Sequence, residues 1–184
     1  MAGPVSSRST IRLAVTAQDG EGRSVFVSDA AVAPAVPALL GGNEIWQFWG
    51  EDRTPELPHP GRGDDFSGFY PAAGGHRFVV FTIPPASQRR PEIVDAEAAR
   101  AEAEHLLPGI TGAISHNEGM HNTGTIDFLC VLEGEVWLEL DGGECRCFGA
   151  GDCIVQGATA HAWFNRDPDR RAKLLIVFIG ARQA

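Results

Sequence analysis

Apolar and polar positions alternate through most of the chain, the two-residue period of strands that bury one face. Residues 11–18 (IRLAVTAQ) and 24–29 (SVFVSD) carry that alternation on either side of the polar, Gly-rich DGEGR, which predicts a hairpin. NEIWQFWGED, residues 43–52, sets Ile45, Gln47 and Trp49 on one side and Trp46, Phe48 and Gly50 on the other, so both faces are expected to be covered. RFVVFTIPP (77–85) predicts a strand ended by prolines. From residue 110 onward TIDFLCVLEG, EVWLEL, ECRCF, DCIVQ, HAWFN and KLLIVFIG follow one another at short intervals, with DGG at 141–143 as a hairpin turn. Two stretches break the pattern. DAEAARAEAEHLL (95–107) is rich in alanine and glutamate, has Asp95 as an N-cap and stops at Pro108–Gly109, so it predicts the one helix. Residues 53–76 hold many of the prolines and glycines and predict a long surface loop of the kind that often forms a lid. Many short strands with regular turns make the chain an all-β sandwich or small barrel.

Composition narrows the partners. The 184 residues are enough to bury a core without staples and fit a single domain. A formal charge of −9 opposes binding to phosphate backbones and anionic membranes, so neither nucleic acid nor membrane is expected as a partner. No apolar run approaches the roughly 20 residues that cross a bilayer, and the start MAGPVSSRST lacks an apolar targeting core, so a cytoplasmic location is expected. Cys130, Cys145, Cys147 and Cys153 show no zinc-ribbon spacing and read as small strand residues; Cys145 and Cys147 share a strand face, where a disulfide is poorly placed.

GMHNTGTIDFLCVLEGE (119–135) and GDCIVQGATAHAWFN (151–165) concentrate the chemistry. The first resembles the motif G-x5-H-x-H-x3,4-E-x6-G of the cupin superfamily: His121, Thr123, Asp127 and Gly134 fall at its last four spaced positions, with Thr123 in place of the second histidine and Asp127 in place of glutamate. The second resembles G-x5-P-x-G-x2-H-x3-N, with His161 and Asn165 matched, Gln156 in place of proline, Ala158 in place of glycine, and one residue fewer before Gln156.

That resemblance implies a cupin (double-stranded β-helix, jelly-roll) barrel over 110–184, with the strands, loop and helix of 1–109 packed on it as an added N-terminal sheet and one short helix. It also implies a divalent metal (Fe, Zn, Mn or Ni) held by His121, Asp127 and His161, with open coordination positions for a substrate. Thr123 would then hydrogen-bond substrate or water, and Trp163, Phe128, Trp46 and Gln156 are the expected pocket wall. His116, five residues before His121, is the alternative ligand for the missing histidine. His59, His76 and His105 read as surface residues. The implied activity is metal-assisted isomerisation, dehydration or lyase chemistry on an oxygen-bearing metabolite; the alternatives are an Fe(II)-dependent dioxygenase and a metal-free cupin that only binds a small metabolite. Strand edges at 11–18 and 24–29 predict a homodimer.

Overall fold

The computed structural model describes residues 10–113 and 119–182. His116 lies outside the described residues. The strands in chain order are β1 (Ile11–Gln18), β2 (Ser24–Val32), β3 (Ile45–Glu51), β4 (Asp64–Asp65), β5 (His76–Ile83), β6 (Thr125–Glu133), β7 (Glu135–Leu140), β8 (Cys145–Gly149), β9 (Cys153–Gly157), β10 (His161–Phe164) and β11 (Ala172–Gly180). Among the described residues the helical elements are α1 (Ala96–Leu106), the four-residue α2 (Ile110–Ala113) and a 3-10 turn at Ala38–Leu40. The side chain of Asp95 accepts from the amides of Glu97 and Ala98, as an N-cap does. No helix among the described residues is long and apolar enough to cross a membrane.

Among the described residues the strands form the β1–β2 hairpin, a six-stranded sheet in the order β4-β3-β5-β11-β6-β9, and a three-stranded sheet in the order β10-β7-β8. The division expected at 109/110 therefore does not separate layers, because β3 and β5 are interior members of the large sheet, hydrogen-bonded through β11 to β6. Only the β1–β2 hairpin is an added sheet. It lies on the outer face, where Ile11 and Leu13 pack against Trp46, Phe48 and Val80.

The inner face carries the main core. Alternation along β11 buries Ala172, Leu174, Ile176 and Phe178, which meet Leu129 and Val131 of β6, Val79 and Ile83 of β5, and Val136 of β7. Ala103, Leu107 and Ile110 from the helices complete it. The predicted two-sided strand at 43–52 is covered on both faces, but a bulge between Gln47 and Trp49 interrupts its alternation. Trp49 consequently packs with Trp46 and Phe48 rather than beside Ile45.

Gly134 makes the tight turn between β6 and β7 with φ +72, and a Cβ there would stand 2.4 Å from the Arg171 carbonyl oxygen. Only glycine meets both conditions.

The expected surface loop at 53–76 is only partly one. Arg77, 1% exposed, pins its second half by donating to the carbonyls of Gly68 (2.9 Å), Glu51 (2.8 Å) and His76 (2.8 Å), and pairs with Asp52. Ser67 donates its amide to Asp52, and the Phe69 amide reaches the Pro108 carbonyl. Phe69 is buried as a result. His59, expected at the surface, is half-buried against Glu51 at 2.5 Å, with its Nδ1 accepting from the Gly61 amide.

Candidate functional site

The alternation of β6 continues upstream, so His121, Thr123, Thr125 and Asp127 face the same side at every second position. They line or border a cavity of about 760 Å³ between the sheets. Most of its wall is apolar, from the inner core, Leu39, Leu40 and the aromatic rings of Phe69, Tyr70, Phe81, Trp163 and Phe178. His161 enters from β10 and faces His121 across an isolated antiparallel bridge, with each amide donating to the other's carbonyl at 2.9 Å. The two rings stand 4.4 Å apart, tilted by 51°.

Both imidazoles donate from Nδ1 to a backbone carbonyl two residues earlier, but only one of them has the rest of its ring engaged. His121 Nδ1 donates to the Gly119 carbonyl at 2.8 Å, which leaves Nε2 with the lone pair facing the cavity. His161 Nδ1 donates to the Thr159 carbonyl at 2.8 Å, and the Gln156 side-chain amide nitrogen lies against the ring, 2.5 Å from Nδ1 and 2.8 Å from Nε2. Both nitrogens of His161 are thus in use. Burial, reinforced by the neighbouring His121, lowers its pKa to about 4, so it is neutral at pH 7.

Asp127 is 4% exposed and burial raises its pKa to about 6, against which a hydrogen bond from Thr125 acts. Thr123 Oγ stands 2.6 Å from Thr125 Oγ, so a short hydroxyl chain runs along the strand towards the carboxylate. Asp127 Oδ1 has no hydrogen-bond partner, and neither has Oε1 of Gln156, its cross-strand partner. Tyr70 packs edge-on to Phe178 with centroids 5.4 Å apart, and Phe178 is the β11 partner of Asp127. Burial and the Asp127 charge push the Tyr70 phenol well above its ordinary value, so it stays a proton donor.

Several expectations need correction. Phe128 points outward and is 49% exposed, because it alternates with Asp127 on β6. Trp46 is fully buried in the outer cluster under β1 and does not border the cavity. Gln156 holds His161 from behind rather than forming a wall. Trp163 does line the cavity beside His161, their centroids 6.1 Å apart. His121, Asp127 and His161 share the cavity, but among the described residues no three His, Cys, Asp or Glu side chains converge as a metal site requires. The donor set as arranged offers His121 Nε2 and Asp127 Oδ1, and His161 is turned to Thr159 and Gln156 instead. Tyr70 and Thr125 were not singled out from the sequence. The alternation through 121–127 could have flagged Thr125; nothing local flags Tyr70, which arrives from a loop.

Two packed sheets thus hold a polar group of histidines, threonines and aspartate at one end of an apolar cavity. The chain belongs to the cupin superfamily. It is 30% identical over 171 residues to the phomopsin biosynthesis cluster protein C' of Diaporthe leptostromiformis, covering 91% of this chain and 77% of that one. It is 27% identical over 164 residues to the cupin-domain-containing oxidoreductase fogC of Aspergillus ruber, covering 88% and 68%. Among solved structures the Schizosaccharomyces pombe Cnp3 cupin domain aligns over 93% of this chain and 83% of its own with 9% identity and a TM-score of 0.43. No protein-family model matches the chain.

Proposed function

We propose that the protein is a cupin enzyme that binds a largely apolar, oxygen-bearing metabolite and moves a proton on it, in an isomerisation, dehydration or lyase-type step. The observation that carries this is the buried Asp127 Oδ1 without a donor, facing an aromatic-walled cavity. A carboxylate oxygen left unpaired in a buried site costs roughly 1–3 kcal/mol, which a ligand hydroxyl or an abstracted proton relieves. With a pKa of about 6, Asp127 is mostly ionised at pH 7 yet basic enough to accept a proton. Tyr70, held protonated, supplies a donor for a ligand carbonyl or the alkoxide that develops from it. His121 Nε2 is the second acceptor, and Gln156 with Thr159 keeps His161 in one tautomer. The relatives' descriptions, a biosynthesis cluster protein and an oxidoreductase, support a small biosynthetic metabolite as the ligand.

The test begins with a thermal-shift screen of phenolic, polyketide-like and oxo-acid compounds, since a ligand of the folded state raises its melting temperature. Compounds that bind are then incubated with the protein in D2O and followed by NMR. Exchange at a C–H beside a carbonyl is expected, rising with pH through about 6 and lost in Asp127→Asn while binding persists. Compounds that bind yet keep every hydrogen would make the protein a metabolite-binding cupin without catalysis.

A second reading, an oxidoreductase using a divalent ion such as Fe(II), draws on the same orphaned oxygen, on the free Nε2 of His121 and on the relatives' description. Elemental analysis of protein purified without chelator separates the two: about one equivalent of metal, lost in both His121→Ala and Asp127→Ala, favours the ion. A homodimer is proposed on β2, exposed along its length with Phe26 75% exposed. Light scattering at the single-chain mass of 19.7 kDa would overturn it.

A further inference from the structure

Away from the cavity, β6 and β9 place two cysteines opposite each other. Cys130 and Cys153 are direct partners in the antiparallel register, and each thiol reaches a backbone carbonyl of its own strand or turn, Val131 and Gly151, at 3.8 Å. The ladder shows which kind of pair they form. Val131 donates to Asp152 at 3.0 Å and accepts from Gly151 at 2.8 Å, while Thr125 accepts from Ala158 at 3.1 Å. The odd-numbered residues of β6 are therefore the bonding positions towards β9. Cys130 and Cys153 form a non-hydrogen-bonded pair, in which Cα atoms stand about 4.5 Å apart and side chains approach closest. Disulfides span Cα separations of roughly 4.4–6.8 Å.

Access and reactivity follow from the sheet. β9 is its edge strand, Cys153 is exposed and Cys130 is half-buried beside it, and both are free thiols. Burial and the neighbouring Cys153 thiol hold the Cys130 thiol above its ordinary value, and Cys153, the more exposed of the two, is the sulfur a dissolved oxidant meets first. Cys145 and Cys147, by contrast, lie two apart on the single strand β8 and belong to the other sheet.

We propose that Cys130 and Cys153 are a redox-active cross-strand dithiol that a small soluble disulfide closes into an intramolecular bond. The Cys153 thiolate attacks one sulfur of the oxidant, forming a mixed disulfide and expelling one thiolate. The Cys130 thiolate then attacks the Cys153 sulfur, and the mixed disulfide breaks with release of the second thiolate. Two cysteine thiols are oxidised, the oxidant's disulfide is reduced to two thiols, and the two cysteine protons pass to the leaving groups.

The test uses the full chain, reduced, freed of reductant and then incubated with oxidised glutathione. Free thiols are counted, and the protein is alkylated and mapped by non-reducing peptide mass spectrometry. The expected result is a fall from the four cysteine thiols to two, a mass loss of two hydrogens, and one cross-linked species joining the Cys130 and Cys153 peptides. Cys130→Ser should instead retain glutathione on Cys153, because the resolving thiol is gone. Four thiols remaining after oxidation, stable glutathione on Cys153 of the unmodified chain, or a cross-link confined to Cys145 and Cys147 would each overturn the proposal.

Discussion

The two faces of β6 differ by one residue step and in almost every physical respect. Thr125, Asp127, Leu129 and Val131 point inward and are buried; Ile126, Phe128 and Leu132 point outward and are 42–49% exposed. The inner side places a carboxylate where burial changes its proton affinity. The outer side leaves apolar groups in contact with water and a dithiol within reach of oxidants. A strand of nine residues thus carries two separate chemistries because alternation is the only rule that assigns them.

The largest effect should come from removing inner packing. Leu129→Ala is expected to cost about 2–3 kcal/mol in urea unfolding, near the low end for a buried leucine because the side chain already borders a cavity. Phe128→Ser, one residue away, would erase the contrast between the faces if it cost as much.

Next comes the pH dependence of stability, where two inner groups oppose each other. Asp127 has a folded pKa raised to about 6 from 3.8, so its contribution is fully present below pH 3.8 and is lost as pH rises through 6. His161 has a folded pKa lowered to about 4 from 6.5, so the unfolded chain takes up a proton first and stability is lost as pH falls from 6.5 to 4. Each amounts to on the order of 3 kcal/mol, with opposite sign over nearly the same window. Their combined contribution is expected to be nearly flat between pH 4 and 6.5. Thermal melts of Asp127→Asn across that range should lose the compensation and fall steeply towards acid; a profile parallel to that of the unmodified protein would refute the assignment.

A smaller effect is expected at Thr125. Thr125→Val removes the donor to Asp127 and the partner of Thr123, which should raise the Asp127 pKa further above 6 and cost roughly 1 kcal/mol. An NMR titration of the Asp127 carboxyl carbon reads the first quantity and urea melts the second. Smallest of all, Phe128→Ser should leave stability within about 0.5 kcal/mol, as exposed substitutions do. A larger loss that grows with protein concentration would sharpen the comparison differently, by showing that a second copy covers the outer face.

Local pattern made much of this legible. The hairpin of β1 and β2, the strands from β6 onward and the Asp95 cap follow from period and spacing, and the resemblance to the cupin motif pointed to His121, Thr123 and Asp127. Long-range placement did not. Trp46 and Phe128 carry the aromatic character of pocket residues, yet which face of the sheet meets the cavity depends on where β1 lies and on the bulge in β3. Tyr70 sits in a Pro/Gly-rich stretch with no periodicity, and Arg77, Asp52 and the Pro108 carbonyl turn its segment inward. The three expected metal ligands share a cavity, but Gln156 and Thr159 take the nitrogens of His161, and their reach is set by how β9 and β10 meet.

From its residues alone the chain determined an all-β fold, because strand periodicity and turn chemistry are local properties, and the spacing of His121, Thr123, Asp127, Gly134, His161 and Asn165 carried the resemblance to cupins. Tertiary structure alone decided the proton affinities of Asp127 and His161, the recruitment of Tyr70 and the facing of Cys130 with Cys153. Those depend on burial and on register between strands distant in sequence, and the energies involved arise only when the sheets close.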